Sequence, residues 1–323
     1  MKVLTKAQMT EAAKVLETFL PQSQQVYGHL LQMSRIRSFP LDIAVDTWPN
    51  FAAIICKPRV ETEGDLFKDS SVFTKDGASL RKILAEPAIV NWGKFFCLAA
   101  DLSLEAVLKE EAERRGVSWK RVTTCYMLKL QCVSHLPTVD RYSSTTMGAS
   151  MPEPGCMFQH RLPTHLYATS FHGCLGMAFK ADAIFWLFPS ALGLRISSLD
   201  ESHVDLVNRS WKFGAGKHSV SMIQGMIRHF PSCCLQDGEG RAVAWILTYP
   251  SGCMGMLYTV PEHRGKGYAK IVINAMSQRL HSEGYPAYCF IEEENKLSFR
   301  LFKGLGFTED PTYRVAWFTF NHL

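Results

Sequence analysis

No stretch of this chain is long and apolar enough to cross a bilayer as a helix. The most apolar run, Ala183 to Leu194 (AIFWLFPSALGL), holds twelve uncharged residues, contains Pro189 and is preceded by Lys180 and Asp182. A spanning helix needs ~20 apolar residues. The N-terminal MKVLTKAQMTEAAKVLETFL has no apolar run leading to a small-residue cleavage site, so it does not read as secretory. It is mildly amphipathic, but Glu11, Glu17 and the lack of any Arg before Arg35 make it a poor transit peptide. Charge of one sign is also missing: 35 Lys+Arg against 30 Asp+Glu leave a net charge of +5, spread along the chain. That excess tolerates an acidic ligand and gives no case for nucleic acid, which calls for a concentrated basic patch. None of the ten cysteines forms a C-x-x-C pair, and several sit in apolar runs such as Ile54-Ile55-Cys56 and Phe95-Phe96-Cys97. They read as reduced core thiols of an intracellular protein, not as a zinc site or a disulfide framework.

What remains is globular. Apolar residues are 47% of the 323 and charged residues 20%, which excludes disorder over the whole chain. At ~150 residues per domain, two domains are expected.

The first 135 residues mix helices and strands. Thr5 and Gln8 fit a capping box at the start of a helix over Lys6 to Leu20, ended by Pro21. A second helix is predicted over Gln22 to Ser34. Strands are predicted at Ala52 to Cys56, Leu66 to Lys75 and Arg121 to Val133, and helices at Ser79 to Leu84 and Leu104 to Arg115. The Lys and Glu residues of the last helix read as a solvated face. From about Leu136 to Leu192 periodicity is lost in a Ser-, Met-, Pro- and Gly-rich stretch, read as a poorly packing insertion or linker.

Pattern returns at Arg195 to Ser198, a candidate strand. Ser198-Leu199-Asp200-Glu201 fits a capping box before a helix reaching Trp211, and a further helix spans Lys217 to Phe230. Ser232 to Gln236 and Arg241 to Thr248 read as a hairpin across Asp237-Gly238-Glu239-Gly240. Then come a strand at Gly255 to Val260, a helix from Tyr268 to Ser282 ended by Gly284, a strand at Ala287 to Ile291, a helix from Asn295 to Lys303, and strands to Phe320.

The chemistry concentrates in Tyr258-Thr259-Val260-Pro261-Glu262-His263-Arg264-Gly265-Lys266-Gly267-Tyr268-Ala269. A strand enters a turn with two glycines, and a helix starts there. Glycines admit close backbone approach, N–H groups at the helix start face outward, and Arg264 and Lys266 add positive charge. This is an anion site suited to a pyrophosphate. The segment matches the R-x-x-G-x-A signature by which the GNAT acyltransferase superfamily binds coenzyme A. Downstream, Asn295, Ser298, Leu301, Phe302 and Gly306-Phe307 resemble that superfamily's N-x-x-A-x-x-L-Y-x-x-x-G-F.

A closer resemblance rests on Asp46-Thr47-Trp48-Pro49-Asn50-Phe51, Ile89-Val90-Asn91-Trp92, Val207-Asn208-Arg209-Ser210-Trp211, Phe230-Pro231-Ser232-Cys233-Cys234 and Thr259-Val260-Pro261-Glu262-His263-Arg264. With these segments the chain resembles the glycine N-acyltransferase family over about 1–135 and 195–323. The resemblance implies an α/β (α+β) fold of tandem GNAT-like halves. A degenerate N-terminal half would span 1–194, and an acyl-CoA-binding catalytic half 195–323. It implies transfer of an acyl group from acyl-CoA to glycine or a related small amino acid, in a monomeric mitochondrial protein, with a cytoplasmic location as the alternative. Acyl-CoA would be a co-substrate, with no permanently bound cofactor. The ligand-binding residues it implies are Tyr258, Thr259, Val260, Arg264, Gly265, Lys266, Gly267, Tyr268, Ala269, Asn295 and Phe302. Backbone N–H groups around Tyr258 to Val260 would polarise the thioester carbonyl.

The chain departs from its relatives at the general base. Where they carry a glutamate, the matching position in Gly252-Cys253-Met254-Gly255-Met256 is Cys253, a poor base unless its pKa is depressed. Glu292, at the end of the next strand, is the first alternative and Glu262 the second. Phe302 replaces the tyrosine that often protonates the leaving thiolate; Tyr288 or water could serve instead, or the thiolate could leave unprotonated. A non-catalytic acyl-CoA-binding protein on the same fold is the alternative reading, and a protein-lysine or polyamine acetyltransferase a weaker third. His218, His263, Cys233 and Cys234 lack any spacing suited to a metal.

Overall fold

The computed structural model describes residues 1–36, 41–59, 69–136, 193–214 and 217–321. The predicted insertion, Leu136 aside, lies outside them. Helix α1 (Lys6–Glu17) opens on the expected capping box: the Gln8 N–H reaches Thr5 Oγ1 at 3.4 Å and the Thr5 N–H reaches Gln8 Oε1 at 3.0 Å, after the short strand β1 (Lys2–Val3). It packs on α2 (Gln24–Arg35) through Ala12, Ala13, Leu16, Val26 and Leu30. Strands β2 (Leu41–Val45), β3 (Ala53–Pro58) and β4 (Asp69–Thr74) run antiparallel in sequence. Helix α3 (Gly77–Leu84) then returns the chain so that β5 (Phe96–Asp101) lies parallel to β4. Helix α4 (Glu105–Arg114) and β6 (Trp119–Lys129) follow.

The second half repeats this plan. It contains β7 (Arg195–Ser197), α5 (Val204–Ser210), α6 (Lys217–His229) and the antiparallel run β8 (Ser232–Gln236), β9 (Ala242–Thr248), β10 (Met254–Thr259). Helix α7 (Tyr268–Ser282) crosses to β11 (Tyr288–Glu292), parallel to β10, and α8 (Lys296–Gly304) leads to β12 (Thr308–Phe320).

The halves interleave. All twelve strands form one sheet in the order β1-β2-β3-β4-β5-β12-β6-β11-β10-β9-β8-β7. The last strand of the chain pairs with β5, and β6 pairs with β11. Each half therefore completes its sheet with a strand from the other. On one face of the second half, Ile271, Val272, Met276 and Leu280 of α7 pack against Ile246, Met254, Cys289 and Ile291. On the other, Val207, Ile223 and Met226 of α5 and α6 cover Cys234, Trp245 and Leu247. Strand alternation places Tyr288, Phe290 and Glu292 on this second face.

Three local expectations change. Ser198 does not cap the turn before α5. Asp200 does, accepting from Ser202 N at 2.9 Å and closing a box with His203, while Ser198 Oγ accepts from Arg279. An aspartate two residues closer to the helical turn takes the role of acceptor instead of the serine. Helix α4 is not wholly solvated: Glu111 is 2% exposed and bound by Arg81, Arg114 and Arg115. The expected C-terminal strands are one strand, β12, with register shifts against β6.

Candidate active site

Strands β10 and β11 pair at a single register point, Met254 opposite Cys289, and then diverge. The parallel pair thus opens into a gap at its C-terminal end. On its other edge, β10 slips register against β9 between Gly255 and Tyr258, and Met256 in the slip has φ of 50°. This is a bulge, which bends the strand away from its neighbour. Gly255 is required there by close approach: a Cβ would come within 2.3 Å of Tyr249 Cε2.

Beyond the bulge, Tyr258 pairs with Trp245 and Thr259 with Ala244, and the Val260 N–H donates to Val243 O at 3.0 Å. Val260 therefore spends the N–H that was expected to face a carbonyl. Antiparallel alternation turns the Thr259 N–H the other way, towards the gap. Tyr258 stacks on Trp245 with ring centroids 5.1 Å apart.

The turn into α7 has the geometry of an anion cradle. Gly265 and Gly267 have φ of 76° and 80°, and Gly267 is the left-handed residue before the first helical turn. A Cβ at either would meet nothing within 4 Å, so the turn faces open space. Lys270 N and Ile271 N bond back to Gly267 O at 2.9 and 3.3 Å. Among the described residues, the N–H groups of Gly265 to Ala269 find no acceptor. They sum with the helix dipole to favour a negative ligand. Arg264 is braced beside them: its Nε donates to Thr259 O at 3.1 Å and its guanidinium lies 5.5 Å from the Tyr258 ring centre. Lys266 is exposed, and Tyr268 stacks on His263 at 5.9 Å. Thr259 Oγ1 and His263 Nδ1 are buried without a hydrogen-bond partner.

The expected acid–base residues separate sharply. Glu292 ends β11 at the gap, its side chain 24% exposed, in an ion pair with Lys212 Nζ from the connection between α5 and α6. Glu262 lies exposed in the helical turn Pro261–His263 that precedes the anion cradle. Cys253 is buried among Cys125, Met127, Tyr288 and Tyr313, with Sγ donating to Met254 O at 3.4 Å. Burial pushes its thiol up to about 12, so it keeps its proton at neutral pH and cannot act as a base.

Tyr288 is no candidate donor to a leaving thiolate. It is fully buried, its hydroxyl already donates to Ser251 O at 2.5 Å, and burial raises its pKa well above the usual value. Phe302, expected at the ligand, instead packs edge-on against Phe307 in the core, centroids 5.0 Å apart. Its helix turns this position inward under α8. Asn295 caps α8 by accepting from Ser298 N at 3.1 Å. Lys212 joins the candidate site only in the folded chain. It follows the Val207-Asn208-Arg209-Ser210-Trp211 segment directly, but a single lysine carries no spacing signal. Among the described residues, no group of three or more His, Cys, Asp or Glu side chains is arranged to hold a metal ion.

A family model described as aralkyl acyl-CoA:amino acid N-acyltransferase matches residues 1–160, and one described as FR47-like protein matches residues 234–315. A glycine N-acyltransferase from Bos taurus is 25% identical over 324 residues, covering 98% of both chains. The chain belongs to the glycine N-acyltransferase family. It is thereby an enzyme of the acyl-CoA:amino acid N-acyltransferase class. Two further family relatives are each 26% identical. A glycine N-acyltransferase-like protein from Mus musculus matches over 96% of this chain and 95% of its own. A glycine N-phenylacetyltransferase from Bos taurus matches over 88% and 87%. Solved structures agree on the fold. The X-ray structure of a Drosophila protein superposes with a TM-score of 0.68 at 17% identity, over 98% of this chain and 97% of its own. A tandem GNAT protein from the clavulanic acid biosynthesis pathway does so with a TM-score of 0.50 at 13% identity, over 98% and 96%. The fold is the tandem GNAT arrangement expected from the sequence.

Proposed function

We propose that this family member moves an acyl group from acyl-CoA to the amino group of glycine or a related small amino acid. The observation that carries this reading is the pairing of two features at one gap: the outward N–H cradle of Gly265 to Ala269 on one side, and the partly exposed Glu292 carboxylate on the other. The cradle, with Arg264 and Lys266, would take the pyrophosphate of acyl-CoA, held as a co-substrate. The pantetheine arm would then lie between β10 and β11, with the thioester carbonyl near the Thr259 N–H.

Glycine at neutral pH is an ammonium without a lone pair. Glu292 removes one proton, directly or through water, and the freed amine attacks the thioester carbon. A C–N bond forms, the C–S bond breaks, and the sulfur leaves as thiolate. The second nitrogen proton is lost as the amide forms, and water is the available donor to the thiolate, because Tyr288 is engaged elsewhere. The products are an N-acyl amino acid and CoA. Family kinship supports a mitochondrial location, and the protein is taken to act as a monomer.

The test is CoA release measured with a panel of acyl-CoAs against glycine, glutamine and other small amino acids. Turnover with an amino acid and none with a polyamine or a lysine peptide is expected. CoA binding without release on any amino acid would overturn the reading.

A further inference from the structure

Lys212 and Glu292 meet in an ion pair at the C-terminal end of β11, beyond the point where β10 and β11 part. The lysine comes from the connection after α5 and the glutamate from the end of β11. Among the described residues, Lys212 is the cation in ion-pair contact with Glu292. The neighbouring Arg314 is committed to Glu293 at 3.2 Å and Glu309 at 2.7 Å. We propose that Lys212 recognises the carboxylate of the amino-acid acceptor, and that its ion pair with Glu292 is the arrangement a zwitterion replaces. This deepens the acyl-transfer reading above and rests on it.

Charge matching carries the proposal. The pair is neutral as a unit, and so is an α-amino acid zwitterion. Its ammonium answers Glu292 and its carboxylate answers Lys212, so insertion exchanges one ion pair for two and leaves no charge unmatched. An acceptor without a carboxylate, such as a polyamine or a peptide lysine, brings a second cation beside Lys212 and is repelled. Access is open: the Lys212 side chain is 57% exposed and that of Glu292 24%. An exposed pair is cheap to break, because water already screens it.

The lysine is also held where it can act. Its ammonium lies 4.5 Å from the Phe213 ring centre, and Phe213 meets Trp211 edge-on at 5.4 Å. Gly214 N donates to Trp211 O at 2.8 Å, and a Cβ on Gly214 would stand 1.8 Å from Asn208 O, so the turn closes tightly on the end of α5. The competing group beneath Glu292 is uncharged. Cys125 opposes Glu292 on β6, and burial, with the Glu292 charge adding to it, pushes its thiol up to about 12.

The experiment compares glycine with glycinamide, which keeps the amine and lacks the carboxylate, in the full chain and in Lys212→Met and Lys212→Arg. The ratio of kcat/KM for glycine to that for glycinamide should fall by about 10- to 100-fold in Lys212→Met, the size expected for one lost charge-assisted contact. The fall should lie in KM for glycine, and Lys212→Arg should restore most of it. An unchanged ratio in Lys212→Met, or an equal loss on both acceptors, overturns the assignment, since a lysine that merely positions Glu292 would slow both alike. Absence of amino-acid turnover by the unmodified chain would overturn the parent reading and this one together. Glycine turnover with an unchanged ratio would overturn this one alone.

Discussion

Tyr288 gives its hydroxyl hydrogen to the carbonyl oxygen of Ser251 at 2.5 Å, directly beneath Gly28 of α2. A Cβ on Gly28 would stand 1.8 Å from that oxygen and 2.7 Å from the tyrosine hydroxyl. The contact therefore clamps a helix of the first half onto the β9–β10 turn of the second. His29 adds to the clamp: it is bonded to the Pro250 backbone, and burial lowers its pKa to about 4.

Tyr288→Phe leaves the buried Ser251 carbonyl short of a donor. Stability should fall by ~1–3 kcal/mol, read from the denaturant midpoint. Turnover should change far less than in the Glu292 variant below. A large rate loss with intact stability would make Tyr288 a proton donor after all.

Gly267→Val forces a β-branched residue into φ of 80° and crowds the anion cradle. CoA affinity, measured by calorimetry, should drop at least roughly tenfold, since a charge-assisted bond is worth ~1.5–3 kcal/mol. Gly116→Val is the control. It has φ of 65° with open space around it at the end of α4, far from the cradle in the fold, and carries comparable strain. Normal CoA affinity in Gly267→Val would remove the cradle from the binding site.

Glu292→Gln should lower turnover by ~10²–10⁴-fold with acyl-CoA binding near normal, as expected for loss of a positioned base. Cys253→Glu should not raise it. A carboxylate there enters the pocket of Met127, Tyr288 and Tyr313, where burial disfavours its charged form, so destabilisation is expected. Little loss in the first variant and a gain in the second would return the base to the β10 strand.

Glu111 predicts an acid-sensitive core. Burial alone would raise its pKa. Hydrogen bonds from Arg114 at 2.7 Å, from Arg115 and from Arg81 at 3.0 Å outweigh that and lower it from 4.5 to about 2. A depressed folded-state pKa means stability that is full above the unfolded value and is lost as pH falls from about 4.5 towards 2. The contribution is of order 3 kcal/mol. Unfolding midpoints followed from pH 6 to 2.5 should fall more steeply in the unmodified protein than in Glu111→Gln, and parallel slopes would contradict this.

Much of the fold was legible in the chain itself, and the legible parts share a physical character. Helix α7 runs from Tyr268 to Ser282 as expected, because Gly267 supplies its left-handed entry and Gly284, with φ of 74°, its exit. The Thr5–Gln8 box and the Asp237–Gly240 turn are equally local. Such signals act within about four residues, through dihedral preference and nearby hydrogen bonds, so the sequence by itself determines them. It also determined the anion cradle, whose Gly-Lys-Gly turn is continuous in the chain.

Tertiary structure decided the rest. That β6 and β12 change places between the halves depends on which sheet edges remain open after the others pair, and no local pattern encodes that choice. The same assembly buried Cys253 and Phe302, so the thiol expected at the base position stays protonated and the phenyl ring expected at the ligand lies in the core. It also brought Lys212 to Glu292 across 80 positions of sequence, by setting the turn after α5 against the end of β11. Single charges have no periodicity to read. Their partners are set by where the backbone carries them.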